Sequence, residues 1–304
     1  MSLDRISNLI FDQPHLYHPR KAETFVHAFG PRLTGYQVAL TNGMGGVDHT
    51  AFANGRPSAA IIGDGLGRAY DRKGYSTFDV VQGVAIIGVE GTLVQKGAWI
   101  GASSGETSYQ GLQTQIARAS GDHIKGVVFE VDSFGGQVNG AFETAAMIRK
   151  LSAQKPTIAI LTDYAYSAAY LLASQARQII VPQFGGAGSI GVVMLHADWS
   201  GNLEQDGIKV TLIHSGKHKV DGNPYEPLPA EVLARWQSQS DQIRDRFAEA
   251  VATGRGKRLS KAAALKTEAE AFTASEAVEL GLADAVGDPL AAFDAFIKEV
   301  NRKA

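Results

Sequence analysis

The chain has 304 residues, with 29 basic and 31 acidic side chains and 44% hydrophobic residues. Such a balance suits one large or two ordinary globular domains, and it excludes a basic excess aimed at nucleic acid or an anionic membrane. No cysteine is present, which excludes disulfides, thiolate nucleophiles and cysteine-ligated zinc and suits a reducing cytoplasm.

From the N-terminus, residues 1–75 read as an extension distinct from a domain at 76–304. They are rich in Gly, Pro, Asn and His and hold acids and a proline where a signal peptide would be apolar. A short helix is expected near Arg20–Ala28 and a strand at Ser58–Ile62. The GDGLG at 63–67 lacks the full dinucleotide-loop spacing and reads as a turn with no amphipathic helix after it. His15 and His18 have no third ligand near them in sequence, so no zinc is expected.

From residue 80 strand and helix alternate. Strands are expected at Val84–Val89, Ile124–Val131, Thr157–Leu161 and Gln178–Pro182, and helices at Ser108–Ser120, Ala141–Leu151 and Ser167–Ala176. The strand runs are apolar rather than alternating, as in a parallel sheet covered on both faces. Val210–Ile213 reads as another strand. Helices at Ala230–Thr253, Lys261–Lys266 and Pro289–Arg302 complete the chain. Neither of the most apolar stretches, 80–94 and 157–173, reaches the roughly 18 uncharged residues of a membrane span, so no span is expected.

Four segments could carry chemistry. In Asp132-Ser133-Phe134-Gly135-Gly136-Gln137-Val138, paired glycines leave amide N–H groups open to a developing oxyanion, or simply make a tight turn. Ser167, in Tyr166-Ser167-Ala168-Ala169, stands where a strand meets a small-residue helix; it reads as an approachable hydroxyl or as an ordinary N-cap. Ser215-Gly216-Lys217-His218-Lys219 is a basic turn, or the source of a lysine base if burial or cationic neighbours depress its pKa. Gly188-Ser189-Ile190-Gly191 is a turn into a buried strand whose hydroxyl could orient an amine.

The order of these motifs is more specific than any one of them. VAIIGVEGTL, GETSYQGLQTQI, GVVFEVDSFGG, YSAAYLLAS, GSIGVV, GIKVTLIHSGKHK and AVELGLADAVG run along residues 80–290 in an order that resembles the signal peptide peptidase A family of Ser–Lys peptidases, relatives of the Clp protease and crotonase folds. The resemblance implies an α/β fold with a parallel sheet, Ser167 as nucleophile, Lys219 as general base with Lys217 as its competitor, and Ser189 as the hydroxyl that holds the lysine. It also implies an oxyanion hole from the N–H groups of Gly136 and Ala168. The segment Gly135, Gln137 and Val138 would pair with the substrate as an added strand. Phe134 departs from the family's usual proline there.

The segments IFDQPHLYHPRK and GKHKVDGNPYEPLP further resemble head-maturation proteases of tailed phages and prophages. That resemblance implies a homo-oligomeric ring cutting scaffold and other head proteins in the host cytoplasm or the assembling prohead, without cofactor. Alternatives are a bacterial cytoplasmic peptidase of the signal peptide peptidase type, a Ser167–His196 pair, and a non-catalytic scaffold or assembly protein of the same fold.

Overall fold

The computed structural model describes residues 14–17, 64–97, 99–103 and 105–302. The helix expected at 20–28 and the strand expected at 58–62 lie outside them.

The central layer is a mostly parallel sheet built on β3 (Val84–Glu90), β7 (Gly126–Ser133) and β9 (Thr157–Tyr166), with β10 (Gln178–Val181) and β11 (Gly186–Gly188) both pairing with β9. β10 runs along the first half of β9 and β11 along the second. The sheet therefore splits at the far end of β9, where the chain turns at Ser167. Antiparallel edges are added by β2 (Asp79–Val81) and β12 (Ala271–Thr273), and β13 (Ala285–Val286) continues from β10 in parallel.

Alternate strand residues face opposite sides of a sheet, and both faces here are covered. Val127, Phe129, Val131, Ala159 and Leu161 join the main core with α2 (Tyr109–Ala119), α3 (Ala141–Gln154) and α4 (Ala168–Ala173). Val128, Ile158 and Ile160 face the other way and pack under Phe296, Ile297 and Val300 of the C-terminal helix (Pro289–Arg302). Burial on both sides is what selected apolar runs over strict alternation in these strands.

A second, five-stranded sheet carries β8 (Gly135–Gln137). Its strand order is β1 (His15–Tyr17), β8, β4 (Thr92–Val94), β6 (Glu106–Ser108) and β5 (Ala102–Ser103). β8 pairs with β4 in parallel at Gly136 and with β1 antiparallel on its other edge.

Three local expectations are corrected. Gly65–Arg72, α1, is a helix and not a bare turn: Asp64 caps it by accepting from Gly67 N at 3.2 Å, and Arg118 of α2 holds Asp64 and Asp71 by ion pairs of 3.0 and 2.6 Å. Val210–Ile213 is no strand, because no segment among the described residues takes its backbone hydrogen bonds; Ile213 is 96% exposed. The strand near Ser189 precedes it, as β11, rather than following it; beyond Ile190 only an isolated bridge at Val193 forms. The long helix Ala230–Arg255 and the helix Lys261–Lys266 match their expected spans closely.

Candidate active site

Ser167 occupies the turn between β9 and α4 with φ 56 and ψ −122, a backbone conformation costly for any residue with a side chain. The turn is held from both sides: its N–H donates to Gly188 O at 2.9 Å and its carbonyl accepts from Leu171 N at 2.9 Å. The ordinary N-cap reading does not hold, because the side chain makes no capping hydrogen bond. Instead Oγ is buried, with the residue 1% exposed, and has no hydrogen-bond partner among the described residues. A buried hydroxyl left unpaired is disfavoured by about 1–3 kcal/mol.

The double-glycine loop lies against this turn. Gly135 has φ +95, and a Cβ there would stand 3.0 Å from both Ser167 Cβ and Ala168 N. A Cβ on Gly136 would stand 1.9 Å from Leu93 O, so only glycine lets β8 approach β4 this closely. Ser133 fixes the loop: its Oγ donates to Gly91 O at 2.6 Å and accepts from Gly135 N at 3.1 Å. Gln137 Oε1 accepts from Gln95 N at 2.6 Å, and the buried Tyr109 hydroxyl donates to Gln137 O at 2.9 Å. Burial, reinforced by Glu143, pushes the Tyr109 hydroxyl far above its ordinary pKa and keeps it a donor. Val138 packs against the main core.

Phe134, at the position of the family's usual proline, is locked by other means. Its ring packs on Tyr164 and Tyr166 at centroid distances of 5.3 and 5.6 Å, and those two tyrosines stack at 5.3 Å. An aromatic cluster thus ties the loop to the strand that ends in Ser167. On that strand, desolvation by its neighbours and then the Asp132 charge raise the exposed Asp163 carboxyl above its ordinary value.

Ser189 adjoins Ser167 through the strand pairing, since Tyr166 is opposite Gly188. It also has a positive φ, 55, and is nearly buried; its N–H donates to Glu270 O at 2.8 Å. The structure therefore brings together Gly135, Gly136, Ser167, Ala168 and Ser189. Lys219 is not joined to them by a hydrogen bond to Ser167. It lies in an exposed turn, with its N–H on Gly216 O at 3.1 Å. Lys217 is exposed as well and pairs with Glu231 at 3.2 Å. His196 is engaged elsewhere: Nε2 is 3.1 Å from Asn223 O and its ring meets Trp236 edge-on.

Sequence reasoning missed Ser133, the aromatic cluster and β1. The first had a signal in its place two residues before a glycine that must be held. For β1 the signal was a His-Leu-Tyr run bracketed by Pro14 and Pro19, since proline confines a strand to a short edge.

Comparison with known proteins agrees with the motif order. The model of peptidase family S49 matches residues 149–302, a span containing Ser167, Ser189 and Lys219. The chain is 37% identical over 284 residues to the capsid assembly protease C of Escherichia phage lambda, covering 93% of this chain and 63% of that protein. It is 38% identical over 284 residues to the head-tail preconnector protein GP5 of Enterobacteria phage P21, covering 93% of this chain and 55% of that one. The chain thus spans under two thirds of the length of either relative. An enoyl-CoA hydratase from Shewanella pealeana is similar in structure at a TM-score of 0.42 and 14% identity, covering 73% of this chain and 72% of that one.

Proposed function

Because the chain belongs to peptidase family S49, and because its site is built around a strained, buried and unpartnered serine, we propose that it is a serine endopeptidase with Ser167 as nucleophile and Lys219 as general base. The observation that carries the reading is the Ser167 turn itself: a positive φ, no capping bond and an orphan Oγ.

In this mechanism a neutral Lys219 amine takes the Ser167 proton as Oγ bonds to the scissile carbonyl carbon. The carbonyl oxygen becomes an oxyanion held by the Gly136 and Ala168 amides. When the carbon–nitrogen bond breaks, the lysine returns that proton to the leaving amine. Water then attacks the acyl-enzyme as the lysine takes one of its protons, and when the ester bond breaks the lysine passes that proton to Ser167 Oγ, releasing the acid and restoring the hydroxyl and the neutral amine. Ser189 orients the amine between steps, while Gly135, Gln137 and Val138 align the substrate as an added strand.

A lysine serves as a base only where burial or a neighbouring cation disfavours its charge. The exposed turn of Lys219 therefore has to be covered, and a ring of identical chains would do so. Beside it the exposed Ile208, Val210 and Ile213 offer an apolar surface for a neighbouring copy.

The likeness to a capsid assembly protease and a head-tail preconnector protein supports phage head and scaffold proteins as substrates, cut in the host cytoplasm or the prohead. Among the described residues no helix is long and apolar enough to cross a membrane.

The test is hydrolysis of a phage head scaffold protein, followed by mass spectrometry. Wild type should cut it. Ser167→Ala and Lys219→Ala should not, and His196→Ala should retain activity. A dead His196→Ala beside an active Lys219→Ala would replace the lysine mechanism.

A further inference from the structure

β1 lies where an incoming peptide would have to lie. β8 offers two edges: one is taken by β4 at Gly136, and the other is the only one left for a substrate strand. That second edge is already filled by His15–Tyr17, antiparallel, with His15 opposite Gln137, Leu16 opposite Gly136 and Tyr17 opposite Gly135. On its far side β1 is also paired: His15 N–H donates to Val193 O at 2.8 Å and Val193 N–H donates to His15 O at 2.9 Å. Val193 lies four positions beyond Ser189, so β1 is clamped between the double-glycine loop and the segment leaving the second candidate serine.

The fit is close. Leu16 is fully buried and belongs to the main core cluster, and His15 is 1% exposed. A Cβ on Gly135 would stand 2.1 Å from Leu16 O on one side and 3.0 Å from Ser167 Cβ on another, so the Leu16 peptide passes directly over the loop beside Ser167. The strand is nonetheless only three residues long, and Pro14 and Pro19 at its borders supply no N–H to extend it. A three-residue strand at the end of its sheet, with one isolated bridge on its outer side, can open without unfolding the sheet.

Resting on the peptidase reading above, we propose that His15–Tyr17 is an internal occupant of the substrate groove, which a protein substrate displaces and whose register it copies. The substrate class follows from the fit: an extended chain, antiparallel to β8, with an aliphatic side chain where Leu16 stands. A folded substrate could not take this place, because both sides of the groove pair with extended backbone.

The experiment has two arms on the full chain. In the first, His15→Pro removes the N–H that binds Val193 O, and hydrolysis of fluorogenic casein is followed. If β1 fills about nine grooves in ten, kcat/KM rises about tenfold, mainly through KM. The synthetic peptide FDQPHLYHPR then inhibits the variant competitively, and the same peptide with Asp for Leu does not. A correctly folded variant that cuts casein no faster than wild type overturns the proposal.

The second arm leaves β1 intact and needs no turnover. Amide exchange is measured in Ser167→Ala with and without casein. The expected result is loss of protection at 15–17 while 135–137 and Val193 stay protected. Casein that fails to bind, or that binds with 15–17 still protected, overturns the proposal even if the His15→Pro chain does not fold. Turnover that survives in Ser167→Ala defeats the peptidase reading instead, so the two failures are read separately.

Discussion

The strain at Ser167 has a measurable consequence: replacing it with glycine should abolish activity and stabilise the protein. Two terms act. Removing Oγ eliminates a buried hydroxyl with no partner, a relief of about 1 kcal/mol. Glycine alone also relieves the backbone held at φ 56 and ψ −122, worth about 1–3 kcal/mol. Against this stand the extra freedom of glycine in the unfolded chain, about 0.5–1 kcal/mol, and the lost contacts of one buried carbon, about 0.8 kcal/mol. Ser167→Ala should therefore gain about 1 kcal/mol over wild type, and Ser167→Gly should fall between about 0.8 kcal/mol below and about 1.7 kcal/mol above Ser167→Ala, which keeps it at or above wild type. Urea unfolding at one fixed protein concentration reads both, with unchanged slopes and higher midpoints. Midpoints below wild type for both variants would refute the claim that stability is stored in this turn for the sake of the hydroxyl.

Other perturbations test the frame around it. Gly136→Ala places a methyl 1.9 Å from Leu93 O; forcing β8 away should destabilise by about 1–3 kcal/mol and, by displacing an oxyanion donor, lower kcat on the order of 10²–10³. Phe134→Ala removes ring contacts with Tyr164 and Tyr166 and should cost about 1–3 kcal/mol by denaturation. Asp284→Ala strands Arg255, whose side chain is 0% exposed and otherwise paired with Asp284 at 2.8 Å; the expected loss is about 3–5 kcal/mol at neutral pH. Burial works against the Asp284 charge, but Arg255, Arg258 and the Ile179 N–H outweigh it and hold the carboxyl below its ordinary value. Its stabilisation is therefore complete above an unfolded pKa of about 3.9 and fades as pH falls through the lower folded value. The wild-type acid limb of stability should flatten in Asp284→Ala.

The sequence was most legible where local pattern and tertiary burial agree. Helices Tyr109–Ala119, Ala141–Gln154 and Pro289–Arg302 each show one apolar face and lie within a few residues of expectation. β9 was read only to Leu161 because Thr162 and Asp163 are polar and exposed; it continues to Tyr166 because β11 pairs with its second half, a partner local pattern does not reveal. α1 was missed for a similar reason, since its Arg118 anchor lies 47 positions from Asp71. At the site, the glycines were legible by type, because a Cβ on Gly135 or Gly136 would collide with Leu16 O or Leu93 O; the serines were named from the order of motifs alone. The strain that singles out Ser167 is a property of three chain segments meeting, and no single segment carries it.

The segment before Lys219 shows what one chain leaves undone. Lys209-Val210-Thr211-Leu212-Ile213-His214 is rich in strand-forming residues, yet it pairs with no strand among the described residues and leaves Ile213 96% exposed. A strand-forming run with no partner among the described residues is a surface the proposed ring of copies would cover, and covering it would also desolvate the turn that holds Lys219. Ile213→Asp should then block association, seen as a lower sedimentation coefficient, and should lower peptidase activity per chain by at least about tenfold. Wild-type activity per chain should fall on dilution, and the variant should show no such dependence. An Ile213→Asp protein that sediments as a monomer yet cuts at the wild-type rate would mean that Lys219 reaches Ser167 within a single chain, by folding this strap inward.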